Sequence, residues 1–186
     1  MYSIKKFMRA FVAIELPQNI KDKLNLLMER LPKSSGIKFT KIENLHITVK
    51  FLGELLESNI ETIAKFLENI ASKHKKFDIR LDSSGVFKSL KDPRIFWVGQ
   101  DNNIDFLNIA SSLDALFTKE NHVCHITLAR LKTVQIFQVK NLIEIANNFL
   151  SQNTLNFSVE EFCLFESILK SPAPVYKQIK KFKLKA

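Results

Sequence analysis

Two copies of one short pattern, histidine-isoleucine-threonine followed by valine or leucine, are the residues of this sequence best suited to chemistry. His46 and Thr48 belong to the first copy, and His125 and Thr127 belong to the second. Imidazole titrates near neutral pH, so one ring can accept a proton while another, protonated, donates one. Beside a cationic imidazole, the threonine hydroxyls can hold phosphate oxygens on which negative charge builds during attack at phosphorus. The two copies predict acid–base chemistry at a phosphate ester.

Each copy lies in an apolar, β-branched run, residues 44–52 and 123–131, and such runs predict β-strands. Side chains alternate between the faces of a strand, so His46 and Thr48 share one face while the residue between them packs behind. The same alternation holds for the second copy. Two such faces turned toward each other predict a small polar pocket. Arg130 faces away from it in a regular strand and reaches the pocket only if the strand bends or ends.

The stretches that must position these strands alternate between helical and extended patterns. Apolar residues recur at helical spacing after Pro17, after Ser58, and in the ranges 104–117 and 139–150, with strand-like stretches between them. No low-complexity linker divides the chain, so we predict one domain, residues 1–186, of the α+β class. The order of elements predicts two similar, pseudo-symmetric lobes. Each would be an antiparallel or mixed sheet packed with helices, bringing one motif strand to a central cleft.

The composition bounds the class of protein and its partners. With 46% hydrophobic and 25% charged residues, the sequence of 186 residues is an ordinary globular one. Its net charge of +9 favours polyanionic partners, although a lysine-rich solvated surface explains the charge equally well. Cys124 and Cys163 lie in separate apolar runs, which indicates free thiols in a reducing cytoplasm. The apolar run within residues 1–16 is too short and too interrupted to span a membrane, so we expect a soluble cytoplasmic protein.

The histidines are also open to structural interpretations. A single histidine on a strand is more often a core residue bonded to the backbone, but the matched duplication favours a shared site. The neighbours His122, Cys124 and His125 suggest metal ligation, yet alternation places the first two on the face opposite to His125. No second group of ligands is evident in the sequence. We therefore predict no bound metal.

With their surroundings, the two copies resemble the 2H phosphoesterase superfamily, and in particular the bacterial and archaeal RNA 2′,3′-cyclic phosphodiesterases once called 2′-5′ RNA ligases. A single His-x-Thr pattern carries little information, whereas two copies at this spacing and in these flanking sequences are specific. The resemblance covers nearly the whole chain. The segments that carry it are residues 9–17, 44–53, 93–99, 125–130 and 164–167.

The resemblance implies hydrolysis of a terminal 2′,3′-cyclic phosphate of RNA to a 2′-phosphate, with no metal and no organic cofactor. It implies that His46 donates a proton to the departing 3′-oxygen and that His125 accepts a proton from water. Thr48 and Thr127 would bind the phosphate, and Arg130 either joins them or forms a surface ion pair. The symmetric motif does not itself decide which histidine is the acid. We expect a monomer that acts on RNA or oligonucleotide ends.

The resemblance leaves the substrate and its contacts open. Sealing of 2′-5′ RNA ends, cleavage of another small cyclic or 2′-5′-linked nucleotide, and non-catalytic binding of RNA ends are the alternatives. The sequence departs from the family pattern at Cys124, where proline is usual, and at residues 174–176, where a glycine-containing turn is common. Tyr176 is a candidate for stacking on a base, whereas Phe11, Phe51 and Trp97 are expected in the core. Basic residues near the motifs are candidates for contact with the RNA backbone, namely Lys50, Lys88, Lys91 and Arg94.

Overall fold

The computed structural model describes residues 6–186, so residues 1–5 of the expected domain lie outside the described residues. Within residues 6–186 the α-helices are α1 (Gln18–Arg30), α2 (Ile60–Ala71), α3 (Ile104–Leu113) and α4 (Ile136–Gln152). The strands of the same residues are β1 (Phe7–Glu15), β2 (Ile37–Phe39), β3 (His46–Leu56), β4 (Phe77–Arg80), β5 (Ser83–Lys88), β6 (Pro93–Gln100), β7 (Cys124–Leu131), β8 (Asn156–Val159), β9 (Glu161–Ile168) and β10 (Val175–Lys183).

One antiparallel sheet contains eight of these strands, in the order β10-β9-β1-β3-β7-β6-β5, with β2 paired to β7. Its two halves meet where β3 and β7 pair through Ile47 and Ile126. Strands β4 and β8 form a separate antiparallel ladder. The predicted α+β class with antiparallel sheets is confirmed. The two motif strands are neighbours at the middle of the sheet, each belonging to one half.

The helices cover one face of the large sheet and bury the main hydrophobic core against it. Helix α2 packs on β9 and β10, α3 contacts β3 and α2, α4 packs on β5, and α1 contacts α4. On α2, Ile63, Leu67 and Ile70 recur at helical spacing and are all buried. The opposite face carries a second, small apolar cluster of Phe11, Ala13, Cys163 and Phe165, with Tyr176 packed against it. None of the helices in residues 6–186 has the length and hydropathy needed to cross a bilayer.

Helix α4 extends beyond its predicted range at both ends and α3 is shorter than predicted, and two of these differences have a local cause. Helix α4 begins at Ile136, before the predicted start, because Gln135 and Gln138 form a capping box that satisfies free backbone N–H groups. Helix α3 ends at Leu113, short of the predicted end, where Asp114 leaves the helix and binds the side chain of Lys50.

Lys50 is buried beneath the helices, so the expectation that it contacts RNA is wrong. Regular alternation would place Lys50 on the face of Thr48. A β-bulge intervenes, because β1 pairs Ala13 with Thr48 but the preceding Val12 with Lys50, which leaves one extra residue in β3. The bulge reverses the alternation and turns Lys50 into the core, where its side chain is 0% exposed. By the same reversal, Phe51 is 62% exposed rather than in the core.

A charged network compensates this buried amine. Lys50 Nζ donates to Asp114 Oδ1 at 2.7 Å and to the carbonyl oxygen of Thr118. Asp114 also accepts from Nε2 of His122 at 3.1 Å. Desolvation opposes the charge of Asp114, but the hydrogen bonds from Lys50 and His122 outweigh it and lower the pKa of this carboxyl. The network therefore ties β3 to the loop that leads into β7.

Asp114→Ala is expected to lower the free energy of unfolding by about 3–5 kcal/mol, because it leaves the charged, buried Lys50 without its nearest counter-ion and with only the more exposed Glu120, 3.7 Å away. Urea denaturation measures this change. Glu68→Ala is the control, because it removes the partner of the exposed Lys180, 2.6 Å away. That exposed pair is expected to contribute less than about 1 kcal/mol. Equal losses in the two variants would contradict the role given to the buried network.

Candidate active site

The four motif side chains lie together on the sheet face that the helices leave free. Ile47 and Ile126 pair directly in antiparallel register, and both are fully buried in the main core. Residues directly opposite one another in such a pair point to the same face. Extending the register by one residue on each side therefore places each histidine across from the threonine of the other motif. The side chains gathered in this way are His46, Thr48, His125 and Thr127.

The two imidazoles are held by the same backbone contact. His46 Nδ1 lies 2.7 Å from the carbonyl oxygen of Asn44, and His125 Nδ1 lies 2.8 Å from that of Val123. A carbonyl oxygen only accepts, so Nδ1 is the protonated nitrogen of each ring and Nε2 carries the lone pair when the ring is neutral. Nε2 of His46 is 3.0 Å from Oγ1 of Thr48, which donates to it in that state. Each ring is therefore fixed in the tautomer that presents Nε2 for proton transfer.

Burial lowers the pKa of both imidazoles below the usual value for histidine. For His46, desolvation is the largest cause, the bond to Asn44 opposes it, and the charges of His125 and Lys21 lower the pKa further. For His125, desolvation again dominates and the bond to Val123 opposes it. Because a proton on His125 disfavours a proton on His46, the pair accepts one proton more readily than two. The singly protonated pair contains one acid and one base.

Aromatic side chains pack against each histidine on the same sheet face. The His46 ring centroid is 5.1 Å from that of Phe11 and 5.3 Å from that of Tyr176. The His125 ring centroid is 4.6 Å from that of Phe87 and 6.3 Å from that of Trp97. The rings of Phe87 and Trp97 stack with their centroids 5.5 Å apart. These contacts restrict rotation of the imidazoles. Phe87 was not identified from the sequence, because only the pairing of β5 with β6 brings it beside His125.

A β-bulge in β7 turns Arg130 toward the site. Strand β6 pairs Trp97 with Thr127 but the preceding Phe96 with Ala129, so β7 has one extra residue between the two pairs. Ala129 is buried and Arg130 is exposed, which is the reverse of regular alternation. This bend is the condition, predicted from the sequence, for Arg130 to reach the pocket. Burial raises the pKa of Tyr176, and the charge of Arg130 opposes this shift, so the guanidinium lies near the aromatic group beside His46.

The bulges in β3 and β7 occupy equivalent places, immediately after the threonine of each motif. They bring Phe51 of the first strand and Arg130 of the second onto the site face. The ring centroid of Phe51 lies 6.2 Å from that of Phe11, beside His46. The likeness of the two motif strands therefore extends beyond the four residues that are similar in sequence.

A cavity of about 440 Å³ opens beside His46, within the size range of small-molecule sites. It is lined by His46 but not by His125. The amide of Asn44 donates to the carbonyl oxygen of Pro174 at 3.0 Å and holds the segment 173–176 as one wall. This segment contains one of the two departures from the family pattern. Other lining residues include Phe11, Glu15, Lys21, Lys41, Glu43, Tyr176 and Gln178.

Residues with metal-binding side chains are occupied by other partners. His122 Nε2 lies 3.1 Å from Asp114 Oδ2, and burial raises the pKa of the Cys124 thiol to about 12, which disfavours the thiolate form that binds a metal. Elsewhere in residues 6–186, ligand atoms of Glu15, Glu161 and Cys163 lie within 4.8 Å of one another. Lys181 Nζ lies 3.1 Å from the first carboxylate and 2.7 Å from the second, and thus compensates one of their two negative charges.

The chain is similar over most of its length to a known protein family and to named proteins of other organisms. A family described as LigT-like phosphoesterase matches residues 14–97 and 104–176, and each matched segment contains one His-x-Thr copy. The RNA 2′,3′-cyclic phosphodiesterase of Methanocaldococcus jannaschii is 32% identical over 94% of this chain and 100% of its own length. The protein of the same name from Archaeoglobus fulgidus is 28% identical over 94% of this chain and 99% of its own.

Solved structures agree with this match. The Thermus thermophilus protein TT0787 superimposes with a TM-score of 0.76 at 26% identity, covering 95% of this chain and 98% of that one. E. coli LigT complexed with 3′-AMP gives a TM-score of 0.76 at 22% identity, covering 97% of this chain and 100% of that one. The second likeness concerns the fold alone.

Proposed function

This chain belongs to the LigT-like phosphoesterase family, and from that membership we propose that it hydrolyses 2′,3′-cyclic phosphate ends of RNA to 2′-phosphate ends without a metal ion. The observation that supports this most is the pair of His-x-Thr faces on neighbouring strands, with both imidazoles fixed to present Nε2. Several relatives named RNA 2′,3′-cyclic phosphodiesterase match nearly the whole chain.

The reaction needs one proton taken and one proton given. Nε2 of neutral His125 accepts a proton from water as the water oxygen forms a bond to phosphorus. The bond from phosphorus to the 3′-oxygen breaks, and Nε2 of protonated His46 gives its proton to that oxygen. The 2′-oxygen remains bonded to phosphorus, so the product has a 2′-phosphate. Exchange with solvent then returns His125 to the neutral form and His46 to the protonated form.

The position of the cavity supports the choice of His46 as the acid. In an in-line displacement the entering water and the leaving 3′-oxygen lie on opposite sides of phosphorus. Water needs little space, whereas the leaving oxygen carries the whole nucleoside. The side with room for a nucleoside is therefore the acid side, and the cavity adjoins His46 and not His125. The two motifs are alike in sequence, so this difference in their surroundings is what favours one histidine as the acid.

The remaining groups of the site would bind the phosphate. The hydroxyls of Thr48 and Thr127 are donors for its non-bridging oxygens, on which negative charge increases during attack. Once His46 is protonated, its Nε2 no longer accepts from Thr48, and this hydroxyl is free to donate to the phosphate. Arg130, brought to the same face by the bulge, adds a positive charge. A planar guanidinium suits two phosphate oxygens at once.

The test is incubation with an oligoribonucleotide that ends in a 2′,3′-cyclic phosphate, in excess chelator. We expect a 2′-phosphate end, identified against synthetic 2′- and 3′-phosphate standards. A second RNA with a 5′-hydroxyl end is included, because a sealed 2′-5′ product would identify a ligase instead. Cleavage confined to other cyclic or 2′-5′-linked nucleotides would show that the substrate is not the cyclic phosphate end of RNA. Salt-sensitive binding with no product would indicate an RNA-end-binding module.

We expect kcat/KM to follow a bell-shaped pH profile with its maximum below about pH 6.5, the usual pKa of histidine. Both pKa values are lowered by burial, so His125 stays neutral to a lower pH and His46 loses its proton at a lower pH than a free histidine. In kcat, both limbs should lie at higher pH, because the bound phosphodiester anion favours the imidazolium. Steady-state rates between about pH 4.5 and 8.5 measure both. A kcat/KM maximum above pH 8 would contradict the assignment.

We further propose that the protein acts as a cytoplasmic monomer. Every group assigned to the reaction comes from one chain, so the proposed site is complete without a second subunit. Cys124 and Cys163 are free and buried, and burial raises the pKa of each thiol to about 12. Buried, protonated thiols are compatible with a reducing compartment.

A further inference from the structure

Lys21 is an uncompensated cation in the wall of the cavity beside His46. It lies near the start of α1 and is half-buried. Within residues 6–186, its amino group makes neither an ion pair nor a hydrogen bond. The carboxylates of the same wall have other partners, since Glu15 lies 3.1 Å from Lys181 and Glu43 lies 3.6 Å from Lys41. Among the charged residues that line this wall within residues 6–186, Lys21 is therefore the one without an ion-pair partner.

A half-buried cation without a partner favours an anionic ligand, because burial has removed part of its hydration and nothing replaces it. The charge of Lys21 also lowers the pKa of His46, which places the amine near the acid of the proposed reaction. The cavity between them is large enough for a nucleoside. The anion that Lys21 meets would therefore belong to the same nucleotide that His46 protonates.

We propose that Lys21 binds the phosphate on the 5′ side of the terminal nucleoside, and so makes the enzyme prefer RNA ends to free nucleoside 2′,3′-cyclic phosphates. This inference rests on the proposed function, because it takes the cyclic phosphate to lie between the two histidines. With the cyclic phosphate there and the nucleoside in the cavity, the one other anionic group of the nucleotide is its 5′-phosphate. A free nucleoside cyclic phosphate lacks that group and leaves Lys21 unpaired.

The experiment compares adenosine 2′,3′-cyclic phosphate with the same molecule bearing a 5′-phosphate. The native protein should favour the 5′-phosphorylated substrate in kcat/KM by about tenfold or more, the usual scale of one hydrogen bond to a charged group. Lys21→Ala should remove this preference, because any effect of its charge on the pKa of His46 changes the rates on both substrates alike. Lys21→Arg should retain most of the preference. Lys23→Ala is the matched control, since it removes the same charge from the same helix and its amine bonds the Thr154 carbonyl oxygen instead.

Two results would overturn the inference. An equal loss on both substrates would mean that Lys21 acts on the cyclic phosphate or on His46, and an unchanged preference would mean that it binds no 5′-phosphate. Calorimetric binding of adenosine 2′,5′-bisphosphate and adenosine 2′-phosphate tests the same point without turnover. Lys21→Ala should weaken binding of the bisphosphate selectively. If the native protein hydrolyses neither substrate, the proposed function fails, while the binding measurement still decides the role of Lys21.

Discussion

His46→Ala and His125→Ala are each expected to lower kcat on a cyclic-phosphate RNA end by about 100- to 10,000-fold, the usual contribution of one positioned acid or base. Both rings lie on the site face and are only partly buried, so their removal should leave the fold intact. Steady-state kinetics measure the loss, and thermal unfolding followed by circular dichroism provides the control for folding.

A modified substrate separates the two roles. If sulfur replaces the bridging 3′-oxygen, the leaving group is a thiolate, which departs without being protonated. His46→Ala should then recover much of the lost rate, because the acid is no longer needed, whereas His125→Ala should not. Rescue of the His125 variant instead would reverse the assignment of acid and base. Native rates in either variant on the natural substrate would end the two-histidine mechanism.

Thr48→Val and Thr127→Val are each expected to lower kcat by about 100- to 1,000-fold, the scale found when one donor to a developing oxyanion is removed. Valine keeps the β-branched shape that suits a strand, so the change removes the hydroxyl with little disturbance of the backbone. The loss should be found in kcat more than in KM, because the bond strengthens as charge builds on phosphorus. Single-turnover kinetics on the cyclic-phosphate RNA end measure the chemical step directly.

Serine provides the matched control for this pair. Thr48→Ser and Thr127→Ser retain the hydroxyl and should keep most of the rate, whereas the valine variants should not. The two sites also differ in the free protein, because Thr48 lies within hydrogen-bond distance of the His46 ring. Thr48→Val should therefore shift the alkaline limb of the pH profile as well as the rate, and Thr127→Val should shift the rate alone. A loss confined to KM would argue against a role in the transition state.

Two errors made from the sequence, at Lys50 and Phe51, have a common origin in β3. Alternation alone puts Lys50 on the face of His46 and Phe51 in the core, and the structure has the two exchanged. The bulge that exchanges them depends on how β1 pairs with β3, and β1 lies far away in the sequence. Once turned inward, Lys50 needs a counter-ion, which Asp114 supplies from the end of another element. No local pattern carries that information.

The local chemistry of the site can be predicted from the amino-acid sequence. Alternation places the histidine and the threonine of each copy on one face, with Ile47 and Ile126 behind, because the strand period is set by backbone geometry. Apolar spacing predicts the four helices and the α+β class, because burial of apolar surface is encoded along each element.

Which other residues join the two copies depends on tertiary contacts. Arg130 reaches the site face because pairing with β6 forces a bulge into β7. Phe87 lies beside His125, and Lys21 lies in the cavity beside His46, through contacts between elements that are remote in sequence. The cavity adjoins His46 and not His125, which distinguishes the two nearly identical motifs. Strand pairing and cavity shape depend on several segments at once, whereas a sequence pattern reports only on the segment that carries it.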